Sequence, residues 1–348
     1  MERESVASIL VLSVRQRARE MIMNGTVNRL ALAGIVLSAT PLSALACATC
    51  GCILSADAAM GYSTSAGWRL NVEYDYLHQD ELRSGTRAVS TVPDGNELER
   101  ETLNRYFTVG VSYNPNASWN IDLRAPYVVR THTTYGELDS AAPLPAVSGS
   151  RSSSLGDIRL IGSYQGWLPT HNLGLQLGVK LPTGQYGTSV NFDSGPNAGT
   201  PLDASLQPGT GSTDVIVGAY YYQAISQNFD VIANGQFQSA VKHRQDQPGN
   251  DYRPGNSTTV SFGLRYEGNP QWVPQLQMNL LRKEADRGAL ADTPNTAGTV
   301  AYLSPGVTVR VRNALHVFGF AQIPVYSNLD GYQLFPRWTV SVGASHAF

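Results

Sequence analysis

The strongest constraint in this chain is a two-residue rhythm, and it is cleanest at the C-terminal end. Trp338, Val340, Val342, Ala344, His346 and Phe348 alternate there with Arg337, Thr339, Ser341, Gly343, Ser345 and Ala347. Successive side chains leave a β-strand on opposite sides, so this spacing predicts a strand with one largely apolar and one small, polar face. Residues 68–78 repeat it: Trp68, Leu70, Val72, Tyr74 and Tyr76 oppose Arg69, Asn71, Glu73 and Asp75. A single strand of this kind fits a soluble sandwich as well as a membrane wall. The connections decide.

Long polar stretches at residues 79–100, 133–153, 186–212, 243–256, 284–297 and 328–336 alternate with short turns. The short turns fall at Asn114-Pro115-Asn116, 166–171, 226–228, Gly268-Asn269-Pro270 and Asn313-Ala314. Sorting loops by length onto two rims is the habit of outer-membrane barrels, so the pattern predicts a closed antiparallel transmembrane β-barrel of about 12 strands over residues 67–348. Closure removes the free edges an open sheet would expose. An even strand number puts both termini on the periplasmic rim of the bacterial outer membrane, and Trp68, Trp119, Trp272 and Trp338 are expected near that rim as an aromatic girdle. The strand at 315–326 has no settled facing, because Phe318 and Phe320 are out of phase with Val317 and Ile323.

Composition agrees. The net charge is −2, only 15% of residues are charged, and no basic run appears, so the electrostatic footprint of a nucleic-acid binder is missing. No apolar run of about eighteen residues follows Cys47, which excludes ordinary membrane-spanning helices. The mean hydropathy of −0.18 suits a barrel, where only alternate residues face lipid. Outer-membrane lipid is thus an expected partner.

Residues 1–46 read as a cleaved signal peptide. Arg15, Arg17, Arg19 and Arg29 precede an apolar run over 30–45, and Ala44-Leu45-Ala46 has the small-x-small form of a cleavage site. Initiation at Met21 or Met23 would give a more compact signal. Residues 47–66 form a periplasmic segment carrying all three cysteines, Cys47, Cys50 and Cys52. Lipidation of Cys47 is one alternative, although Ala44 stands where a lipobox has Leu. A local disulfide with one leftover thiol is another, and a Cu or Zn site is the third.

The inward set of a barrel in this phase is Arg69, Glu73, Asp75, Asp122, Arg124, Arg130, Asp157, Arg159, Lys180, Asp214, Arg265, Glu267, Arg310 and Arg337. Signs are interleaved, which predicts pairing across the lumen, or a polar lining that selects solutes. Asp157 and Asp214 each follow a glycine-containing turn, where a carboxylate accepts backbone hydrogen bonds. No Ser, His and Asp grouping, Gly-x-Ser-x-Gly, His-Glu-x-x-His or phosphate loop stands out, so an enzyme is not expected.

Two resemblances add to this. The final strand, ending on Phe348, resembles the C-terminal strand of bacterial outer-membrane barrels, which implies recognition by the barrel assembly machinery. Leu155-Gly156-Asp157-Ile158-Arg159-Leu160, Lys180-Leu181-Pro182-Thr183-Gly184 and Gln207-Pro208-Gly209-Thr210-Gly211-Ser212-Thr213-Asp214 resemble motifs of the outer-membrane transporter family named for the meta-cleavage pathway of phenol degradation. The approach to the last strand, Pro324-Val325-Tyr326 to Gly331-Tyr332-Gln333-Leu334, is similar too. The resemblance implies a channel or transporter for small solutes, aromatic or hydrophobic ones among them. The alternatives are a non-conducting barrel with a metal- or redox-linked Cys cluster and a barrel hydrolase.

Overall fold

A computed structural model describes residues 65–348. The signal segment and Cys47, Cys50 and Cys52 lie outside the described residues. The strands are β1 (Gly67–Gly85), β2 (Arg87–Ala88), β3 (Glu97–Asn116), β4 (Trp119–Glu137), β5 (Ser148–Leu155), β6 (Ile158–Tyr164), β7 (Leu173–Leu181), β8 (Ser212–Ala224), β9 (Phe229–His243), β10 (Asp246–Gln247), β11 (Asn250–Asp251), β12 (Ser257–Tyr266), β13 (Trp272–Lys283), β14 (Gly298–Arg312) and β15 (Leu315–Ala347).

Antiparallel pairing runs β15-β14-β13-β12-β9-β8-β7-β6-β4-β3-β1, and β1 pairs back with β15, so the sheet closes. Eleven strands build the wall, with β2 and β5 off the closed path. The last strand counts twice. Residues up to Leu329 pair with β14, residues beyond it pair with β1, and the chain reverses at Asp330 and Gly331. The wall is therefore crossed twelve times, eleven strands plus the second arm of β15.

Burial is inverted relative to a water-soluble fold. Leu70, Val72, Phe107, Val109, Ile121, Leu123, Leu177, Phe262 and Met278 are exposed on the outside. Asn71, Asp75, Ser112, Asp122, Gln277, Asn279 and Ser341 are buried within. Apolar out and polar in is what a wall between lipid and water requires. From Trp68 to Tyr76 the band spans roughly 20 Å, at about 3.3 Å per residue and a tilt of about 40°.

Trp68 stacks on Tyr113 with ring centroids 4.4 Å apart, and Trp119 meets Tyr164 at 4.7 Å, both at the short-turn rim. Trp272 begins β13 on the same rim. Trp338 does not join them. It stacks on Tyr76 at 5.6 Å, at the long-loop edge of the band, because the second arm of β15 starts at that rim and descends.

Several expected loops are strand instead. β1 continues to Gly85, β3 starts at Glu97, β4 runs to Glu137, and β5 occupies the second half of the 133–153 stretch. Polar strand extensions stand above the apolar band. The reversal at Asp330 and Gly331 is also tight where a long loop was expected.

Candidate solute pathway

The interior carries most of the charged residues expected there, but they pair along the wall between neighbours rather than across the lumen. Arg124 Nε donates to Asp122 Oδ1 at 2.5 Å. Lys180 Nζ lies 2.9 Å from Asp157 Oδ2 and 3.2 Å from Asp214 Oδ2. Arg265 is paired with Glu267 at the short-turn rim at 2.9 Å. Ser341 Oγ donates to Asp75 Oδ1 at 2.5 Å, and Glu73 is buried near it on the same strand. Arg69, Arg159 and Arg310 share the inward phase, yet none makes an ion pair or side-chain hydrogen bond among the described residues. Arg337 is a correction. A register shift beside Pro336 turns it outward with Trp338, and its 63% exposed side chain pairs with Asp80 at 3.3 Å.

The three motifs meet at one place. β5 and β6 share a single position beside β4, β5 pairing with Tyr127–Thr134 and β6 with Trp119–Arg124. The break between them is Gly156-Asp157. Thr183 Oγ1 donates to the Gly156 carbonyl at 2.7 Å and accepts from Ile158 N at 3.0 Å. Asp157 Oδ1 accepts from Gly184 N at 3.1 Å. Its Oδ2 accepts from Thr210 N and Thr210 Oγ1, both at 3.0 Å, as well as from Lys180. Gly184 and Gly209 lie backbone to backbone, with a Cβ on Gly184 falling 2.8 Å from Gly209 Cα. The motif residues thus tie a knot in which one buried carboxylate gathers both ends of the segment 182–211. Asp214 continues it, accepting from Ser212 Oγ and Gln238 Nε2, each at 2.6 Å.

From that knot the segment 182–211 folds into the barrel. Arg130, on the inner face of β4, donates to the Leu206 carbonyl, to Asn104 Oδ1 at 2.5 Å and to Tyr106 OH at 3.2 Å. Val190, Phe192, Leu202 and Leu206 form a small buried core, and the Phe192 ring lies 6.1 Å from that of His132. The electrostatic neighbours of Asp203 include Asp286 and Lys283 on one side and Glu97 and Glu99 on the other. In the closed sheet β3 and β13 are on opposite walls, so the segment crosses the lumen. A second core of Leu82, Val92 and Leu334, and a third of Val300, Tyr302, Leu329 and Phe335, pack the long-loop end around it.

Carboxyls collect where the segment crosses. Burial pushes Asp292 up to about 8, helped by the charges of Asp203, Glu97 and Asp286 and opposed by a hydrogen bond from Asn295. Burial likewise pushes Asp203 up to about 6 against hydrogen bonds from Ser205. Glu99 Oε2 and Asp292 Oδ2 are buried without a hydrogen-bond partner among the described residues. Thr102, His132 and Glu99 come nearest to a catalytic arrangement, with Thr102 Oγ1 at 2.8 Å from His132 Nδ1. Glu99 stands 3.9 Å from the other ring nitrogen, and all three are buried. Thr102 itself is fully buried.

The facing of the first arm of β15 is settled: Phe318 and Phe320 point inward and are buried, while Val317 and Ile323 are exposed. Each ring lies across an inward glycine on the neighbouring strand. A Cβ on Gly306 would fall 2.1 Å from Phe320, and one on Gly343 would fall 2.4 Å from Phe318. Tyr220 covers Gly174 in the same way. With Ile161, Ile216 and Ile232 also buried and inward, the lumen wall is a mosaic of polar ladders and apolar patches.

A closed wall, lipid-facing outside and polar within, with a segment across its bore, defines an outer-membrane β-barrel. Residues 90–329 match the family model described as the MetA-pathway of phenol degradation; the chain belongs to this family. Among solved structures, an outer-membrane channel from Pseudomonas putida F1 is similar, with a TM-score of 0.58 at 12% identity over 85% of this chain and 100% of that one. The CymD monoaromatic hydrocarbon channel gives 0.44 at 11%, covering 85% and 93%. The Ralstonia pickettii toluene transporter TbuX gives 0.43 at 11%, covering 84% and 93%. A search of the curated proteins finds no match.

Proposed function

We propose that this barrel is a passive channel carrying small solutes, including aromatic or hydrophobic ones, across the outer membrane, with the segment 182–211 as its constriction. The observation that carries this reading is that segment, fastened by Asp157 and Arg130 and laid across a closed lumen. Inward Phe318, Phe320 and Tyr220, packed over glycines, make the wall apolar in patches beside the Gln and Asn ladders. With the short turns on the periplasmic side, both chain termini face the periplasm, and the strand ending at Phe348 is available to the assembly machinery. No catalytic step is assigned. Solute entry into liposomes carrying the refolded protein tests the reading, with a panel of sugars and hydroxylated aromatics. Rates equal to those of protein-free liposomes for every solute would overturn it.

A further inference from the structure

Basic groups elsewhere in the lumen are mostly matched by nearby acids, but the short-turn mouth is different. Arg310 and His316 are register partners on β14 and β15, and both have the inward phase. Arg69 enters from β1 and Arg265 from β12. Arg69 is the register partner of Ala347, whose amide donates to the Ala314 carbonyl two residues before His316, so Arg69, Arg310 and His316 stand on neighbouring strands at one rim. Two acids balance them in part. Glu267 takes Arg265 at 2.9 Å, and Asp230, opposite Arg265 on β9, is engaged by Tyr222 OH at 2.5 Å. Nothing among the described residues pairs with Arg69 or Arg310. Arg265 Nε is buried without a partner, in a residue only 7% exposed.

Cations gathered at one rim, with a buried donor unused, favour a bound anion. The next inward residue along the strand from His316 is Phe318. Phe318 is buried over Gly343, so the mouth is defined by its cations. We infer that this mouth binds small carboxylates, held between Arg69, Arg310 and His316. A planar carboxylate matches the guanidinium fork bidentately. The inference rests on the channel reading for its biological sense, but binding is measurable without transport.

Calorimetry on the full-length protein in detergent, with benzoate, benzyl alcohol and inorganic phosphate as probes, tests it. Benzoate is expected to bind, and benzyl alcohol to bind at least about tenfold more weakly, since a hydrogen bond to a charged group is worth about a factor of ten. Replacing Arg69→Gln and Arg310→Gln together should weaken benzoate by about tenfold per guanidinium removed, while the Lys pair should retain part of the affinity. Where the double variant does not refold, Arg310→Gln alone, at an exposed side chain, serves. Equal binding of benzoate and benzyl alcohol, or an unchanged benzoate affinity in the Gln variants, would overturn the site. Phosphate binding as tightly as benzoate would overturn the carboxylate assignment. Liposome flux without charge discrimination would count against this site and leave the channel standing, whereas benzoate binding without flux would do the reverse.

Discussion

Asp157, in the break between β5 and β6, and Lys180, on β7, lie 2.9 Å apart, with side chains 8% and 4% exposed. The pair holds in place the segment that crosses the lumen. Removing one member of a buried ion pair typically costs about 3–5 kcal/mol. Asp214 remains beside Lys180, so Asp157→Ala should cost toward the lower end of that range. The loss falls on docking of the segment 182–211 rather than on the barrel. Limited proteolysis of refolded protein should therefore cut within that segment faster in the variant, while the barrel keeps its heat-resistant mobility on a gel. Equal cutting rates would show that the knot does not hold the segment.

A second prediction concerns pH. Asp292 and Asp203 are pushed up to about 8 and about 6 by burial in the docked arrangement. An undocked carboxyl in water titrates near 4. Between those values the docked state keeps a proton that the undocked state has lost, so docking weakens as pH rises and levels off above about 8. Glu97, Glu99 and Asp286 add to the acidic side and Lys283 opposes it. Amide exchange in the segments 182–211 and 284–297 should speed up from pH 6 to 9 beyond the intrinsic base-catalysed increase, and Asp292→Asn should flatten that excess. An excess that falls with rising pH would contradict the assignment.

The wall was legible in the sequence because its rhythm is strict: strand phase and the inward positions of Asp75, Asp122 and Lys180 all follow from counting by two. The crossing segment was not, because Val190, Phe192, Leu202 and Leu206 recur with no period and make their core only after folding back. β5 was hidden for the opposite reason. Ser148–Leu155 has polar residues on both faces, so alternation leaves no trace. Phe318 and Phe320 looked out of phase because the glycines that receive their rings, Gly343 and Gly306, are distant in sequence or on another strand. Arg337 was misplaced by the irregularity at Pro336, which a count by two cannot see.

The small core beneath the crossing segment gives a third prediction. Phe192 is 6% exposed and packs with Val190, Leu202 and Leu206. Phe192→Ala should remove about 3–5 kcal/mol of docking free energy through lost burial and the cavity left behind. If the segment is the constriction, single-channel recordings should show larger or more frequent openings than wild type. Unchanged conductance and gating would place the constriction elsewhere.

The sharpest test of the inside-outside assignment comes from two adjacent residues. Leu177 and Gln176 are neighbours on β7, but Leu177 is 66% exposed on the lipid side, while Gln176 faces the interior and accepts from Gln236 Nε2 at 2.9 Å. Leu177 lies mid-strand, opposite Gly162 and Val217. An arginine near the bilayer midplane costs about 2–4 kcal/mol, because lipid offers the charge neither water nor a counter-ion. Leu177→Arg should therefore lower unfolding free energy in vesicles by that amount. Gln176→Arg trades one polar interior group for another and should cost less than about 1.5 kcal/mol, roughly the worth of the amide hydrogen bond it gives up. Reversal of that order would mean that the alternation has been read onto the wrong faces, and the lumen with it.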